Sequence, residues 1–209
     1  MNTLPSTTEI QRILAVYGYT AGIDYAERTR AYVDLLLRWN RKVALTTVTE
    51  PQEVVKFHFG ESLFGMITAE VQNGRLADLG SGAGFPGAPI AMAKPAVKVT
   101  LVESNGKKAA FLNEVRRELR LENVTVHHGR AEELAPGDQF GFVTARALGD
   151  HQKWLGWSSD RVVLGGKVVF WVNSEATEEI RRVGHWHWAQ PGQVPKTKDR
   201  FVLVGMKED

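Results

Sequence analysis

The sequence predicts an α/β protein: a mostly parallel seven-stranded sheet with helices on both faces, closed by an antiparallel hairpin and preceded by an N-terminal helical segment. Three observations carry this expectation. Apolar residues recur every three or four positions up to residue 72, the spacing of one buried helix face. From Arg75 onward short apolar runs alternate with helical patterns, the mark of consecutive βαβ units with right-handed crossovers. Residues 186–189 and 200–206 then read as two strands joined by a Pro/Gly-bearing loop with no room for a helix. The expected division is a helical extension, 1–72, packed on a sheet domain, 73–209.

In chain order, residues 8–17 place Ile10, Ile13, Leu14 and Tyr17 on one stripe, with Gly18 as a stop. Residues 25–43 continue the pattern with Val33, Leu36, Leu37 and Asn40. Thr49 with Gln52 three residues on resembles a capping box, and Pro51 suits a first helical turn. Val55, Phe59, Leu63 and Met66 then make a third helix with His58 at its middle. The first strand is 76–79 and its helix begins over 87–93. Strand two, 97–102, ends at Glu103, and helix 106–121 carries Phe111, Leu112, Val115 and Leu119 at helical spacing. Val124 and Val126 alternate in a third strand before Gly129. A fourth strand spans 140–147, a helix 154–164, and a fifth strand 167–172 follows a Gly165-Gly166 turn; a short helix closes over 180–183. His185 and His187 alternate with Trp186 and Trp188 as on a half-buried strand, and no third ligand is spaced for a metal there.

Composition removes several classes of function. A formal charge of +2 and 43% hydrophobic residues over 209 positions suit one sizeable core and do not imply a general polyanion binder. Basic residues do cluster, at Lys107-Lys108, Arg116-Arg117, Arg181-Arg182 and 196–200. The lack of Cys excludes disulfides, thiolate metal sites and every mechanism with a cysteine nucleophile. No apolar run reaches the length of a membrane span, and residues 1–9 carry neither the basic nor the apolar region of an export signal. A cytoplasmic, monomeric protein without a metal is the expectation.

The stretch from Leu76 to Gly87 organises the rest. Strand one runs into Asp78 and then Gly80, Gly82 and Gly84, which allow tight turning and leave no Cβ between the main chain and a ligand. Read literally, residues 82–87 match a dinucleotide fingerprint with Glu103 as its ribose carboxylate. Two features weigh against that. Asp78 is an acid where such fingerprints carry none, and Pro86 removes an N–H that would cradle a pyrophosphate. An acid followed by alternating glycines suits a ligand with a sulfonium and an amino-acid moiety, because a carboxylate near the loop accepts hydrogen bonds from it and favours its charge. Glu103 can accept two bonds from a ribose diol, and Ala131 with Glu132 after strand three can frame an adenine. Three strand ends thus offer three parts of S-adenosylmethionine, at the edge where open α/β sheets bind ligands. A hairpin-closed parallel sheet is likewise the pattern of the Rossmann-like, class I S-adenosylmethionine methyltransferases. An NAD(P)-binding oxidoreductase stays as the second reading, and a non-catalytic RNA-binding or assembly factor that keeps the fold as the third.

The methyl acceptor is narrowed by what is missing. Methylation of C5 of a pyrimidine needs a thiol, and there is none. Exocyclic amine methylation commonly uses an Asn/Asp-Pro-Pro-aromatic loop after strand four, where this chain has Thr144-Ala145-Arg146-Ala147. An acceptor with an in-plane lone pair, such as guanine N7, needs no base and can react by positioning alone.

A family resemblance rests on particular residues: Leu37-Arg38-Trp39-Asn40 with Leu45-Thr46, His58 with Glu61-Ser62, and the loop from Asp78 to Gly87 including Phe85-Pro86-Gly87. It continues through Glu103-Ser104, Gly106-Lys107-Lys108, Phe111-Leu112, Arg130-Ala131-Glu132, Arg146-Ala147 and Arg200. On these the chain resembles the small-subunit ribosomal RNA methyltransferase G family, also called glucose-inhibited division protein B, which methylates one guanine N7 of bacterial 16S ribosomal RNA. The resemblance covers residues 32–207. It implies that S-adenosylmethionine is held by Asp78, Gly80, Gly82, Gly84, Phe85, Glu103, Ser104, Ala131, Glu132 and Arg146, with Arg146 also beside the reacting group as a positioning residue. It implies 16S ribosomal RNA or a small-subunit particle as partner, with Asn40, His58, Lys107, Lys167 and Arg200 as candidate RNA contacts. The helices before the sheet, with Arg28, Arg30, Arg38, Arg41 and Lys42, offer a basic wall. Departures are Ala44 for a usual Asn, Glu61 for a usual Asp, and Trp171-Val172-Asn173 for a usual Leu-Lys-Gly, which leaves Lys167 or the 196–198 loop to replace a lysine.

Overall fold

The computed structural model describes residues 3–146 and 149–208. The chain opens with α1 (Thr7–Ala15), whose start is a reciprocal cap: Ser6 Oγ accepts from the Glu9 N–H and the Glu9 carboxylate accepts from the Ser6 N–H. Helix α2 (Ile23–Asn40) follows. A single continuous helix then comprises α3 (Pro51–Val54), a π-helical turn (Val55–Gly60) and α4 (Glu61–Thr68). Its start differs from expectation, since Glu50 occupies the cap position, with no side-chain cap bond, and Thr49 lies outside it. Pro51 sets this boundary, because its fixed φ and missing N–H suit the first helical turn.

The sheet elements are β1 (Gly74–Leu79), α5 (Gly87–Ala93), β2 (Val97–Glu103), α6 (Gly106–Glu118), β3 (Val124–His128), β4 (Phe140–Arg146), α7 (His151–Arg161), β5 (Val162–Val172), α8 (Ser174–Ile180), β6 (Trp186–Trp188), β7 (Gly192–Gln193) and β8 (Phe201–Lys207). Strand order is β3-β2-β1-β4-β5-β8-β6, with β7 also on β8. The five strands from β1 to β5 are parallel to one another, and β8 runs antiparallel to β5, β6 and β7. The closing hairpin is therefore present, and Trp186 is buried while His187 faces out. The eighth strand, β7, is two residues long, too short for any periodicity to show.

One boundary in the sheet is moved. Residues 162–164, expected in a helix, begin β5, and Gly165-Gly166 lies within this strand at a register shift opposite Phe140 and Phe142. Val162 is fully buried. A short apolar run cannot by itself distinguish a buried helix end from a strand. The fourth strand ends at Arg146, and Ala147, expected in it, lies outside the described residues.

Two apolar layers flank the sheet. One joins Ile10, Leu14, Tyr32, Leu36, Phe59 and Leu63 of the N-terminal helices to Leu76, Val99, Leu101 and Val169 of the sheet and to α5 and α6. The other packs α7 and α8 over Ala77, Val143, Phe170 and Leu203. The strand order reverses between β1 and β4, so the crevice at their carboxyl ends is where such a sheet opens for ligands.

Candidate active site

The turn after β1 is built for close approach. Gly80, Gly82 and Gly84 all have positive φ (62°, 55° and 87°), a region L side chains rarely enter. At Gly84 the reason is also steric, since a Cβ there would stand 2.3 Å from the Tyr32 hydroxyl. That hydroxyl donates to Ala83 O at 2.7 Å, so a helix of the N-terminal segment pins the loop. Beneath it Asp78 is fully buried, accepting from Gly87 N at 3.1 Å and from the Thr144 hydroxyl at 2.8 Å. Burial pushes its carboxyl up to about 6 against the pull of those two hydrogen bonds. Asp78 thus ties the start of α5 and strand β4 to the floor of the loop.

Glu103, at the end of β2, is 7% exposed and fixed at both oxygens: one accepts from Gly82 N at 2.9 Å, the other from Asn105 N at 2.7 Å. Asn105 in turn caps α6 by accepting from the Lys107 and Lys108 N–H groups. Beside it lies a cavity of about 220 Å³ bordered by Gly80, Val102, Ser104, Gly129, Ala131 and Glu132. Ala131 is buried, whereas Glu132 is exposed and paired with Lys153 at 2.7 Å, which holds its carboxyl below the usual range.

A second, larger cavity of about 510 Å³ opens beyond the ends of β4 and β5. Its wall carries Arg146, Arg200 and Glu61, with Trp171 and Asn173 from the end of β5 and His151 from the start of α7. Glu61, 2% exposed, takes Arg146 Nη2 at 3.2 Å on one oxygen and Arg200 Nη1 at 2.5 Å on the other. Arg146 Nη2 also reaches His58 Nδ1 at 3.4 Å, and its Nη1 is buried without a partner among the described residues. An arginine only donates, so Nδ1 of His58 is the acceptor and Nε2 carries the proton, donating to Thr46 Oγ1 at 2.8 Å. Burial, and then the charges of Arg146 and Arg200, lower His58 to about 3, so it is neutral at physiological pH. Its ring stacks on Phe85 of the glycine loop at 4.6 Å and 17°.

The expected residues fall into groups. Gly80, Ser104, Ala131 and Glu132 line the smaller cavity, with Glu103, Gly82 and Gly84 fixing its edge. Asp78 and Phe85 sit under the loop, Phe85 being 7% exposed and stacked between His58 and Tyr32. Arg146 and Arg200 meet in the larger cavity with His58 behind them. Three candidates for RNA contact are placed otherwise. Asn40 spends its side chain on the backbone of Leu45 and Thr46. Lys107 stands exposed on the first turn of α6. Lys167 is at the opening half of β5, bound to Ala69 O and Glu70, away from the carboxyl end where Val172 and Asn173 meet the cavity. Of the basic wall, Arg28 donates to Leu119 O and pairs with Asp24, and Arg38 pairs with Asp34, while Arg30, Arg41 and Lys42 are exposed. Sequence reasoning missed the roles of Glu61, Tyr32 and Thr144. Glu61 had a signal, lying three residues after His58 on one helix. Tyr32 and Thr144 had none, because their partners are 51 and 66 positions away.

A parallel sheet that reverses order at β1 and β4, closes antiparallel, and carries a glycine-rich loop after β1 and a fixed carboxylate at the end of β2 defines a Rossmann-like methyltransferase. The chain belongs to the rRNA small subunit methyltransferase G family, whose sequence profile matches residues 25–196. It is 51% identical over 198 residues to the Ribosomal RNA small subunit methyltransferase G of Xylella fastidiosa (strain M23), covering 89% of this chain and 92% of that one. Among solved structures it is similar to an O-methyltransferase from Bacillus cereus in complex with SAH, with TM-score 0.61, 16% identity and coverage of 85% and 91%. It is also similar to precorrin-6y C5,15-methyltransferase from Geobacter metallireducens GS-15, with TM-score 0.60, 15% identity and coverage of 78% and 91%. Family membership sets the dinucleotide oxidoreductase aside. Among the described residues no helix is long and apolar enough to cross a membrane.

Proposed function

We propose that the chain transfers a methyl group from S-adenosylmethionine to N7 of one guanine in 16S ribosomal RNA, releasing S-adenosylhomocysteine in the cytoplasm where ribosomes are assembled. The groups beside the smaller cavity support that reading of the cofactor. Each Glu103 oxygen accepts one backbone N–H and keeps acceptor capacity for a ribose hydroxyl. Ala131 and Ser104 border the space an adenine would fill, and Gly80 brings the loop to it without a side chain. When bound, the sulfonium supplies an electrophilic methyl group; the chain's own residues orient it and exclude water.

The observation that supports the choice of acceptor is that, among the described residues, the titratable groups paired with or beside Arg146 are already engaged. Glu61 is saturated by two guanidiniums, His58 accepts from Arg146 and donates to Thr46, and Asp199 on the same wall accepts from Ser174 N at 2.8 Å. An acceptor that must lose a proton would have to use His151 at the start of α7, whereas guanine N7 attacks through its own lone pair and needs none. The target must be exposed or drawn from its stack, because a deep A-form major groove hides the Hoogsteen edge. The test is incubation with radiolabelled S-adenosylmethionine and hypomethylated small subunits or naked 16S RNA, followed by mapping of the modified nucleotide. Label on guanine N7 with a rate flat between about pH 7 and 9 is expected; label on an exocyclic amine, or none at all, sinks the proposal.

A further inference from the structure

We propose that Glu61 is a positioning residue for the RNA: its buried carboxylate holds the guanidiniums of Arg146 and Arg200 together on the larger cavity as a fork for one backbone phosphate. This rests on the RNA methyltransferase proposal above. The two arginines come from distant parts of the chain, Arg146 from the end of β4 and Arg200 from the turn before β8. Like charges do not gather in a partly dry cavity without an anion between them, and the Glu61 carboxylate, 2% exposed, is that anion. It is held from its own main chain too, since Trp171 Nε1 donates to Glu61 O at 2.9 Å across the cavity wall.

The paired cluster around Glu61 has the right sign for a phosphate. Two guanidiniums share one carboxylate, and the other acid on the wall, Asp199, is bound to the Ser174 N–H at the start of α8. His58 adds no positive charge near neutrality, because burial and the two arginines keep it unprotonated. The ion-paired cluster of Arg146, Arg200 and Glu61 by itself carries one positive charge, which an incoming phosphodiester monoanion can match, while Asp199 keeps its own negative charge on the same wall. The donors are also in place: Arg146 directs Nη2 at both Glu61 and His58, leaving Nη1 unpartnered, and Arg200 is half exposed, resting over the Phe57 ring at 5.4 Å. Because His58 stacks on Phe85, the fork and the glycine loop share one support. A phosphate seated on Arg146 and Arg200 would therefore fix the attached nucleotide relative to the bound methyl donor.

The experiment compares Glu61→Gln, which keeps size and removes charge, with Glu61→Asp, which keeps charge on a shorter stem. Methylation of hypomethylated small subunits, direct RNA binding without cofactor, S-adenosylmethionine binding and thermal stability are measured on each. Glu61→Gln is expected to raise KM for RNA and the RNA Kd by about tenfold or more, with the S-adenosylmethionine Kd within about twofold of the wild type. Glu61→Asp is expected to recover most of that loss. Arg200→Gln should flatten the dependence of log Kd on log salt by about 0.7 to 1, the share of one phosphate contact. Equal losses in Gln and Asp, or lower stability with unchanged RNA KM and Kd, would overturn the proposal by making Glu61 merely structural. Should Glu61→Gln not fold, the half-exposed Arg200 decides: an Arg200→Gln protein with unaltered RNA Kd and salt slope overturns the fork. A wild type that binds RNA with this salt dependence but never methylates it sinks the enzymatic proposal and leaves the fork standing.

Discussion

Asp78 shows how one side chain serves the site at a cost to the fold. Its carboxyl, pushed up to about 6 from an ordinary 3.8, means the folded chain holds this proton more tightly than the unfolded chain. Between those two values the native state binds more protons, so this residue's contribution to stability falls as pH rises, and the loss is complete above about 6. Its size is on the order of 3 kcal/mol. Asp78→Asn can keep the bond from Gly87 N and donate to Thr144 Oγ1 without the buried charge. Its thermal midpoint relative to the wild type should therefore climb as pH is taken from 4 to 7 in scanning calorimetry, and a constant difference would count against the buried charge. Gly84 is the other residue whose identity is forced. An alanine there combines a φ of 87° with a Cβ 2.3 Å from the Tyr32 hydroxyl, which is already committed to Ala83 O. Gly84→Ala should lose about 2 kcal/mol or more in urea denaturation and weaken S-adenosylmethionine binding in calorimetric titration.

At the scale of elements, the helix from Pro51 to Thr68 joins the two halves of the site. Its π-helical turn carries His58 and Phe59 under the glycine loop, and the first residue of α4 is Glu61. One turn on, Gly65 lies against Trp171 of β5, where an added Cβ would meet the indole at 2.1 Å. Alanine at a helix interior gains about 1 kcal/mol over glycine, but overpacking here costs about 1 to 3 kcal/mol. Gly65→Ala should accordingly destabilise the protein and become tolerated, or favourable, in a Trp171→Leu background. A double-mutant cycle in urea is expected to give a coupling of at least about 1 kcal/mol, and additive effects would show that the wall accommodates the extra methyl. Trp171 was legible only as a departure from the family's pattern. Its partner is a glycine 106 positions earlier on another element, and no local spacing links the two.

Across the whole molecule, the helices before β1 share one apolar layer with the sheet rather than forming a core of their own. Tyr32, Phe59 and Leu63 are buried in the same cluster as Leu76, Leu101 and Val169. The segment 73–209 made alone would expose that layer, and it should aggregate or show collapsed amide dispersion in NMR. The full chain should unfold in a single transition by both circular dichroism and tryptophan fluorescence. A well-dispersed, monomeric 73–209 would show that the layer is dispensable.

The local physics of the chain determined a good deal by itself. The 3.6 and 2.0 periodicities placed α1, α2, α5 and α6 and the parallel strands. The glycines after Asp78 marked the ligand loop, and Glu103 at a strand end marked its second wall, because tight turns and strand ends depend on nearby residues. Boundaries set by competition were not legible in this way. Residues 162–164 are apolar enough for either a helix end or a strand, and burial of Val162 against the sheet decides for the strand. The polar site was only half visible. Arg146, His58 and Arg200 could be named one at a time, but the union of the two arginines on Glu61 depends on pairings across 85 and 139 positions, and His58 joins them through Arg146, 88 positions away. Only the tertiary structure brings such charges together, since a buried carboxylate selects its partners by proximity in space, and separation along the chain says nothing of that.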